Sequence, residues 1–168
     1  MGILQNDVVE VQLSRGLVTI IDAEDLKIVS PYKWFATSCS RCSTAYAARK
    51  HCGKTVLLHR VILGAHYGIE VDHRNQDGLD NRRENLRLCT RSENNRNTRK
   101  RKEKGDSSKY KGVRKHNQGR PKSWEARIRV DNKCYSRCFE TELKAALWYD
   151  SMAKELHGEF ANLNFQQR

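Results

Sequence analysis

Residues 71–97 read VDHRNQDGLDNRRENLRLCTRSENNRN, and this stretch decides how the rest of the chain is interpreted. A hydrophobic segment ends on Asp72 and His73, a polar stretch follows, and a second short strand is predicted over residues 86–90. A helix that contains Asn94 is predicted next, starting after Ser92. The predicted order is therefore strand, loop, strand and helix, with an Asp-His pair at the end of the first strand.

The residue types in this stretch suit the hydrolysis of a phosphodiester bond. His73 has the side chain whose ordinary pKa lies near neutrality, as a general base requires. Asp72 and Asn94 offer a carboxylate and an amide oxygen, which are hard ligands suited to Mg²⁺ or Mn²⁺ rather than Zn²⁺. So few protein ligands would leave room around the cation for water and a phosphate oxygen. A single Asp-His pair or asparagine usually caps a turn, but the ordered set favours a catalytic function.

The ordered set resembles the HNH nuclease family, in the branch of phage and intron-encoded homing endonucleases where asparagine replaces the third histidine. His73 precedes Asn85 by 12 positions and Asn94 by 21 positions. The resemblance implies a ββα fold over about residues 70–97 around one divalent metal ion. It implies that His73 is the general base, that Asp72 and Asn94 are metal ligands, and that Asn85 pins the loop and orients His73.

The same resemblance implies a metal-dependent endonuclease that cleaves or nicks double-stranded DNA, as a site-selective homing endonuclease of a mobile element. Two alternatives remain open. One is a sequence-specific DNA-binding regulator with a relict nuclease site, and the other is a DNA nuclease of low selectivity. Near the motif, Asp80-Asn81 is interpreted as a loop-shaping pair, and His59 is assigned to structure or to a backbone contact.

The residues before the motif predict a small sheet with short helices. Arg15-Gly16 offers a turn between two runs of β-branched and alternating apolar residues, which predicts a hairpin. The predicted elements are strands over 9–13, 17–21, 33–37, 45–49 and 55–58 and helices over 23–29 and 59–66.

The charge of the chain points to a polyanionic partner. Of 168 residues, 32 are Lys or Arg and 20 are Asp or Glu, which gives a net charge of +12. The excess is +2 over residues 1–71, +4 over 72–108 and +6 over 109–168. No apolar run approaches the roughly 18 residues that span a membrane, and no secretion signal is recognised. Double-stranded DNA is therefore the expected partner, with no protein partner evident, in the cytoplasm and nucleoid of a bacterial or phage-infected cell.

The last part of the chain predicts three strands and one helix. Strands are predicted over 110–115, 124–130 and 133–139, and Thr141 suits the N-cap of a helix that Gly158 ends. The order Tyr110-Lys111-Gly112-Val113-Arg114, then Trp124 to Arg129, then a helix and a closing Leu163-Asn164-Phe165, resembles the Apetala-type DNA-binding domain of plant ethylene-response factors. The resemblance implies a three-stranded antiparallel sheet that enters the major groove while the helix packs behind it.

These predictions give an α+β chain with three parts. An HNH nuclease domain, with a small antiparallel sheet and the ββα metal motif, covers residues 1–97, a basic linker covers 98–108, and the Apetala-type domain covers 109–168. Arginine can bind guanine through two hydrogen bonds, and tryptophan can pack along sugar or base edges. The predicted DNA contacts are Arg99 and Arg101 in the linker and Arg114, Lys115, Trp124, Arg127, Arg129 and Tyr135 in the sheet.

The six cysteines indicate reduced thiols rather than a disulfide framework. Cys39-x-x-Cys42 has the spacing of half a zinc site, and His51-Cys52 could supply the other half. No second Cys-x-x-Cys completes it, so a structural zinc is the less favoured interpretation.

Overall fold

The computed structural model describes residues 7–38, 44–100, 105, 107–116 and 121–165. The chain divides into two compact units, Met1–Asn94 and Asn95–Arg168. The expected mixture of small antiparallel sheets and a few helices is confirmed. No helix among these residues has the length and apolar character needed to cross a membrane.

The first unit begins with the predicted hairpin. Strands β1 (Val8–Gln12) and β2 (Val18–Asp22) pair antiparallel, and the turn places Arg15 and Gly16 at φ of 64° and 68°. Within β2, Thr19 and Ile21 are completely buried. This face of the hairpin therefore supplies both an apolar and a polar side chain to the interior of the unit.

A three-stranded antiparallel sheet and two short helices complete the scaffold of the first unit. The elements are α1 (Leu26–Val29), β3 (Phe35–Ser38), β4 (Ala45–His51), β5 (Lys54–Leu57) and α2 (Leu58–Ile62), and the strand order is β3-β4-β5. Ile21, Val29 and Leu58 lie fully buried in one hydrophobic core. Helix α2 is shorter than predicted, because it ends before Gly64, which has a φ of 58°.

The predicted strand, loop, strand and helix order is confirmed. Strands β6 (Glu70–His73) and β7 (Leu86–Cys89) form an antiparallel pair, and α3 (Arg91–Asn97) follows. The helix starts earlier than predicted because Thr90 caps it. The Thr90 hydroxyl accepts from the Glu93 backbone N–H at 3.2 Å, and the Glu93 carboxylate accepts from the Thr90 backbone N–H at 2.8 Å.

The second unit consists of a three-stranded antiparallel sheet and one long helix. Strands β8 (Val113–Lys115), β9 (Trp124–Val130) and β10 (Lys133–Phe139) lie in the order β10-β9-β8, and α4 (Glu142–His157) packs mainly against β9. The predicted N-cap is confirmed, since the Thr141 hydroxyl accepts from the Lys144 backbone N–H at 3.2 Å. Fully buried alanines, Ala126, Ala145, Ala146 and Ala153, line this core. Gly112 is required because a Cβ there would collide with the Tyr149 ring.

Candidate active site

The Asp-His pair lies at the carboxyl end of β6, opposite β7. In the antiparallel register Asp72 faces Arg87 and His73 faces Leu86. Both Asp72 and His73 are buried, at 6% and 5% exposure. The end of the strand therefore carries a carboxylate and an imidazole at consecutive positions, both largely desolvated.

Asp72 is paired with Arg87 across the two strands. The Arg87 guanidinium donates through Nε at 2.9 Å and through Nη2 at 2.6 Å to the same oxygen, Asp72 Oδ2. Both side chains are 7% exposed, so the pair is screened little by solvent. Breaking such a pair by removing one partner is costly, because it leaves a buried charge.

The loop between β6 and β7 is held closed by Asn85. Its Oδ1 accepts from the backbone N–H of Asn75 at 3.0 Å, and its Nδ2 donates to the backbone carbonyl of Asp80 at 2.7 Å. Its own carbonyl accepts from the Arg74 backbone N–H at 2.8 Å. The contacts of Asn85 are thus the loop-pinning contacts expected of it, and none of those described reaches the ring of His73.

The same loop contacts β4 through Gly78. A Cβ at this position would collide with the backbone carbonyl of Ala45 and would lie 2.7 Å from atoms of the Tyr46 ring. Only glycine allows the loop to approach this strand so closely. The loop is therefore seated on the scaffold as well as closed on itself.

The loop also docks on β2 of the N-terminal hairpin. An isolated bridge joins Ile20 and Asp80, with Ile20 N donating to Leu79 O at 3.0 Å and Asn81 N donating to Ile20 O at 2.8 Å. The interpretation of Asp80-Asn81 as a loop-shaping pair agrees with these contacts.

Further along the loop, Arg83 binds two carboxylates, one at the end of β2 and one shortly after it. Its backbone N–H donates to Asp22 Oδ2 at 2.7 Å, and its guanidinium binds Asp25 at 2.6 Å and 2.9 Å. The carboxylates of Asp22 and Asp25 thereby fix the last part of the loop before Asn85.

His73 is oriented by Asn81 and by two neighbouring rings. Its Nε2 lies 3.3 Å from Asn81 Oδ1, and the ring centroids of His59 and Tyr46 lie 4.9 Å and 5.8 Å from its own. Burial lowers the pKa of His73, while the hydrogen bond to Asn81 and the charge of Asp72 oppose the shift. His73 is thus kept neutral near neutral pH, which is the form that accepts a proton.

His59 belongs to this site, although the sequence assigned it to structure or to a backbone contact. It is 6% exposed, and its ring meets those of His73 and Tyr46 edge to face. Burial and the nearby His73 and Arg60 lower its pKa to about 3. Its Nδ1 has no hydrogen-bond partner among the described residues. The position of His59 just upstream of the motif did not by itself assign it to the site.

Two further residues of the site were missed from the sequence. Arg87 follows Leu86 in β7 and reads as an ordinary surface position of a strand, although it is 8% exposed. Thr19 lies within an apolar run of β2, where a threonine is common, yet its hydroxyl donates to Leu79 O and accepts from Asn81 Nδ2, both at 2.7 Å. The alternation of β2, which turns Thr19 inward beside Ile21, was the available signal.

The donor chemistry of the predicted ligands fits a hard divalent cation. Asp72 and Asn94 offer oxygen atoms, and Asn94 is half-buried in α3, directly after β7. A cation bound by Asp72 would share its carboxylate with Arg87. Among the described residues, no group of three or more His, Cys, Asp and Glu side chains is arranged to hold a metal ion.

The structure separates the predicted sheet contacts onto two faces. Directly paired residues share a face, and the alternation of β9 places Arg127 and Arg129 outward and Ala126 and Ile128 towards α4. Arg114 shares the outer face, where its Nε donates to Glu125 at 2.6 Å.

The other three candidates, Lys115, Trp124 and Tyr135, lie on the face towards α4, where Lys115 and Tyr135 are still exposed to solvent. Trp124 is paired with Lys115 and packs against the second core, and Tyr135 is paired with the buried Ile128. Trp124 is half-buried on the inner face beside Ala126 and Ile128, and its assignment as a DNA contact stays a prediction. The outer face therefore carries three of the predicted contacts, Arg114, Arg127 and Arg129.

Several predicted residues lie in or beside segments outside the described ranges. Arg99 is described and exposed, whereas Arg101 lies outside the described residues, as do Cys39 and Cys42 of the zinc half-site. His51 and Cys52 are exposed at the end of β4 and in the turn after it. The zinc site and the division of the chain at residues 97 and 109 stay predictions.

Comparison with known proteins agrees with the geometry of this site. Residues 56–96 match the family described as HNH endonuclease, which covers α2, β6, the loop, β7 and most of α3. An uncharacterised HNH endonuclease of Acanthamoeba polyphaga mimivirus is 32% identical over 156 residues, covering 89% of this chain and 76% of the viral protein. No solved structure matches the chain. The chain belongs to the HNH endonuclease family and is a nuclease.

Proposed function

We propose that this nuclease hydrolyses phosphodiester bonds in double-stranded DNA, with His73 as the general base. The observation that carries the proposal is the buried Asp72-His73 pair at the end of β6, beneath a loop that Asn85 closes. Asp72 and Asn94 would hold one divalent cation, Mg²⁺ or Mn²⁺, whose oxygen preference they match.

Each residue has a distinct task in this proposal. His73, whose pKa is lowered by burial, takes the proton of the attacking water. Asn85 keeps the loop in the conformation that places His73 at the end of its strand. When bound, the cation neutralises charge on the phosphate and on the leaving oxygen.

A substitution at His73 tests the assignment of the base. We expect His73→Ala to lower the cleavage rate by roughly 10²- to 10⁴-fold, the contribution of a positioned base, while DNA affinity changes little. The assay follows supercoiled plasmid with Mg²⁺, with Mn²⁺ and with EDTA. His51→Ala is the matched control, because His51 is exposed at the far end of β4. Cleavage by His73→Ala at the parent rate, or full cleavage in EDTA, would contradict the proposal.

The second unit is proposed to bind the DNA through the outer face of its sheet. Arg114, Arg127 and Arg129 share this face, and the resemblance to Apetala-type domains supports the use of such a sheet in the major groove. Arg99 and Arg101 lie in a strongly basic stretch that suits contact with the phosphate backbone.

A double substitution on the outer face of this sheet, compared with a substitution on its other face, tests the assignment. Arg127→Ala with Arg129→Ala should weaken DNA binding and reduce the log-log salt slope by about 1.8, if each arginine neutralises one phosphate. Arg137→Ala is the matched control, because Arg137 is also exposed but pairs with Ala126 on the other face. An equal loss of affinity in the control would refute the assignment of the outer face.

We further propose that the nuclease selects its cleavage site in DNA, as a homing endonuclease of a mobile element does. Cleavage of a randomised DNA library, mapped on both strands with Mg²⁺ and with EDTA, measures this selection directly. We expect one enriched sequence and metal-dependent cuts. Uniform cleavage across the library would favour the DNA nuclease of low selectivity, and cuts on one strand alone would indicate nicking.

A further inference from the structure

A chain of hydrogen bonds runs from the backbone of the loop to the ring of His73. Thr19 Oγ1 is 2.7 Å from Leu79 O, Asn81 Nδ2 is 2.7 Å from Thr19 Oγ1, and Asn81 Oδ1 is 3.3 Å from His73 Nε2. Thr19 and Asn81 are both completely buried. Bulk water therefore does not compete for these hydrogen bonds.

The direction of each hydrogen bond follows from the chemistry of the groups. Leu79 O can only accept, so the Thr19 hydroxyl hydrogen points to it, and Thr19 Oγ1 must accept from Asn81. Gly78 O, 3.4 Å from Asn81 Nδ2, can also only accept. Both neighbours therefore require the amide nitrogen of Asn81 on their side, which turns its oxygen towards His73.

The orientation of Asn81 determines the protonation of the His73 ring. An amide oxygen has no hydrogen to donate, so the hydrogen in the contact with Asn81 belongs to His73 Nε2. In the neutral ring the other nitrogen, Nδ1, then carries the lone pair. We propose that Thr19 and Asn81 are positioning residues that fix the ring of His73 in its Nε2-protonated tautomer through these hydrogen bonds.

Backbone hydrogen bonds hold in place this series of side chains, Thr19, Asn81 and His73, which we call the relay. Asn81 N donates to Ile20 O at 2.8 Å and Ile20 N donates to Leu79 O at 3.0 Å, so the residues beside Thr19 bind the loop directly. The relay thus links a residue of the N-terminal hairpin to the imidazole. Only the effect of the tautomer on cleavage rests on the proposed function, since the tautomer itself is a property of the resting protein.

The tautomer can be measured without any cleavage assay. The full chain labelled with ¹⁵N-histidine is examined by long-range ¹H–¹⁵N correlation at a pH where His73 is neutral, and the His73 signals are identified by their loss in His73→Gln. We expect a protonated Nε2 and an unprotonated Nδ1. A ring protonated at Nδ1 in the parent protein overturns the proposal, whatever the variants do.

Variants at Thr19 test whether the relay matters for the reaction. We expect Thr19→Val to lower kcat roughly 10-fold or more with little change in KM, by analogy with the 10- to 100-fold cost of losing partners that orient metal-bound histidines. Thr19→Ser keeps the hydroxyl and should retain most of the activity. Thr55→Val is the matched control, because Thr55 is an exposed strand residue of the same unit. Equal activity of Thr19→Val and the control would refute the positioning role.

The failure of the relay and the failure of the proposed function give different results. If His73→Ala still cleaves DNA while the parent ring is protonated at Nε2, the base assignment fails and the relay stands. If His73→Ala is inactive while the parent ring is protonated at Nδ1, the base assignment stands and the relay fails.

Discussion

The burial of His59 predicts a loss of stability in mild acid. Its pKa is lowered to about 3 in the folded protein from an ordinary value of 6.5. Below pH 6.5 the unfolded chain takes up a proton at this residue and the folded protein does not. Stability from this group is therefore complete above pH 6.5 and decreases as the pH falls from 6.5 towards 3.

The size of this loss of stability follows from the pH range between 6.5 and about 3. Each pH unit well inside it costs about 1.4 kcal/mol, so lowering the pH from 7 to 5 removes about 2 kcal/mol through His59 alone. His73, whose pKa is also lowered by burial, acts in the same direction. Carboxylates with lowered pKa values, such as Asp80, add to the loss at lower pH.

Urea unfolding at pH 7 and pH 5 isolates the contribution of His59. His59→Phe keeps an aromatic ring between Tyr46 and His73 but cannot take up a proton, so its stability should fall by about 2 kcal/mol less than that of the parent. His66→Gln is the control, because His66 is exposed. If the parent and His59→Phe lose the same stability between the two pH values, His59 is not held neutral by burial.

Three substitutions test the contacts that build the two units, each by urea unfolding at neutral pH. Asp72→Ala leaves the buried Arg87 without this carboxylate and should lower the free energy of unfolding by about 3 kcal/mol. Adding Arg87→Met should recover most of the loss, and a double variant no more stable than Asp72→Ala would argue against the pair. Gly78→Ala should cost about 3 kcal/mol, because its methyl group meets the carbonyl of Ala45, and an unchanged midpoint would show that the loop can move away. Thr141→Ala should cost about 1 kcal/mol by removing the N-cap of α4, whereas Thr141→Ser should not.

The order of the active-site elements could be predicted because it is local in the sequence. Asp72-His73 ends a strand, Asn85 begins the next, and a helix follows, so hydrophobic alternation and spacing suffice to recognise the motif. The start of α3 was misplaced because Ser92 and Thr90 are both suitable caps. Only the reciprocal contact with Glu93 distinguishes Thr90.

The long-range contacts could not be predicted in the same way. Nothing in the local pattern of β2 indicates that Thr19 meets Asn81, which lies 62 positions away along the chain. Which face of the second sheet points outward could not be predicted from the sequence. Alternation within a strand does not say which side α4 packs against, and the register of β9 with β10 was needed to assign the residues to the two faces. In the first turn of α4 Leu143 is 52% exposed, while the smaller Ala145 and Ala146 pack inward, so apolar character alone does not identify the buried positions.

The docking of the loop on β2 affects the order in which the first unit folds. The residues that match the family begin at 56, yet the hairpin that holds their loop lies more than 30 positions earlier in the chain. A segment cut out at the family boundaries would lack Ile20, Asp22 and Asp25, and its loop would lose their backbone and carboxylate partners. Contacts between such distant segments form late in folding, after the cost of closing the intervening chain has been met. The loop between β6 and β7 is therefore expected to acquire its order only once the whole first unit has assembled, so that a partly folded chain would lack the proposed active site.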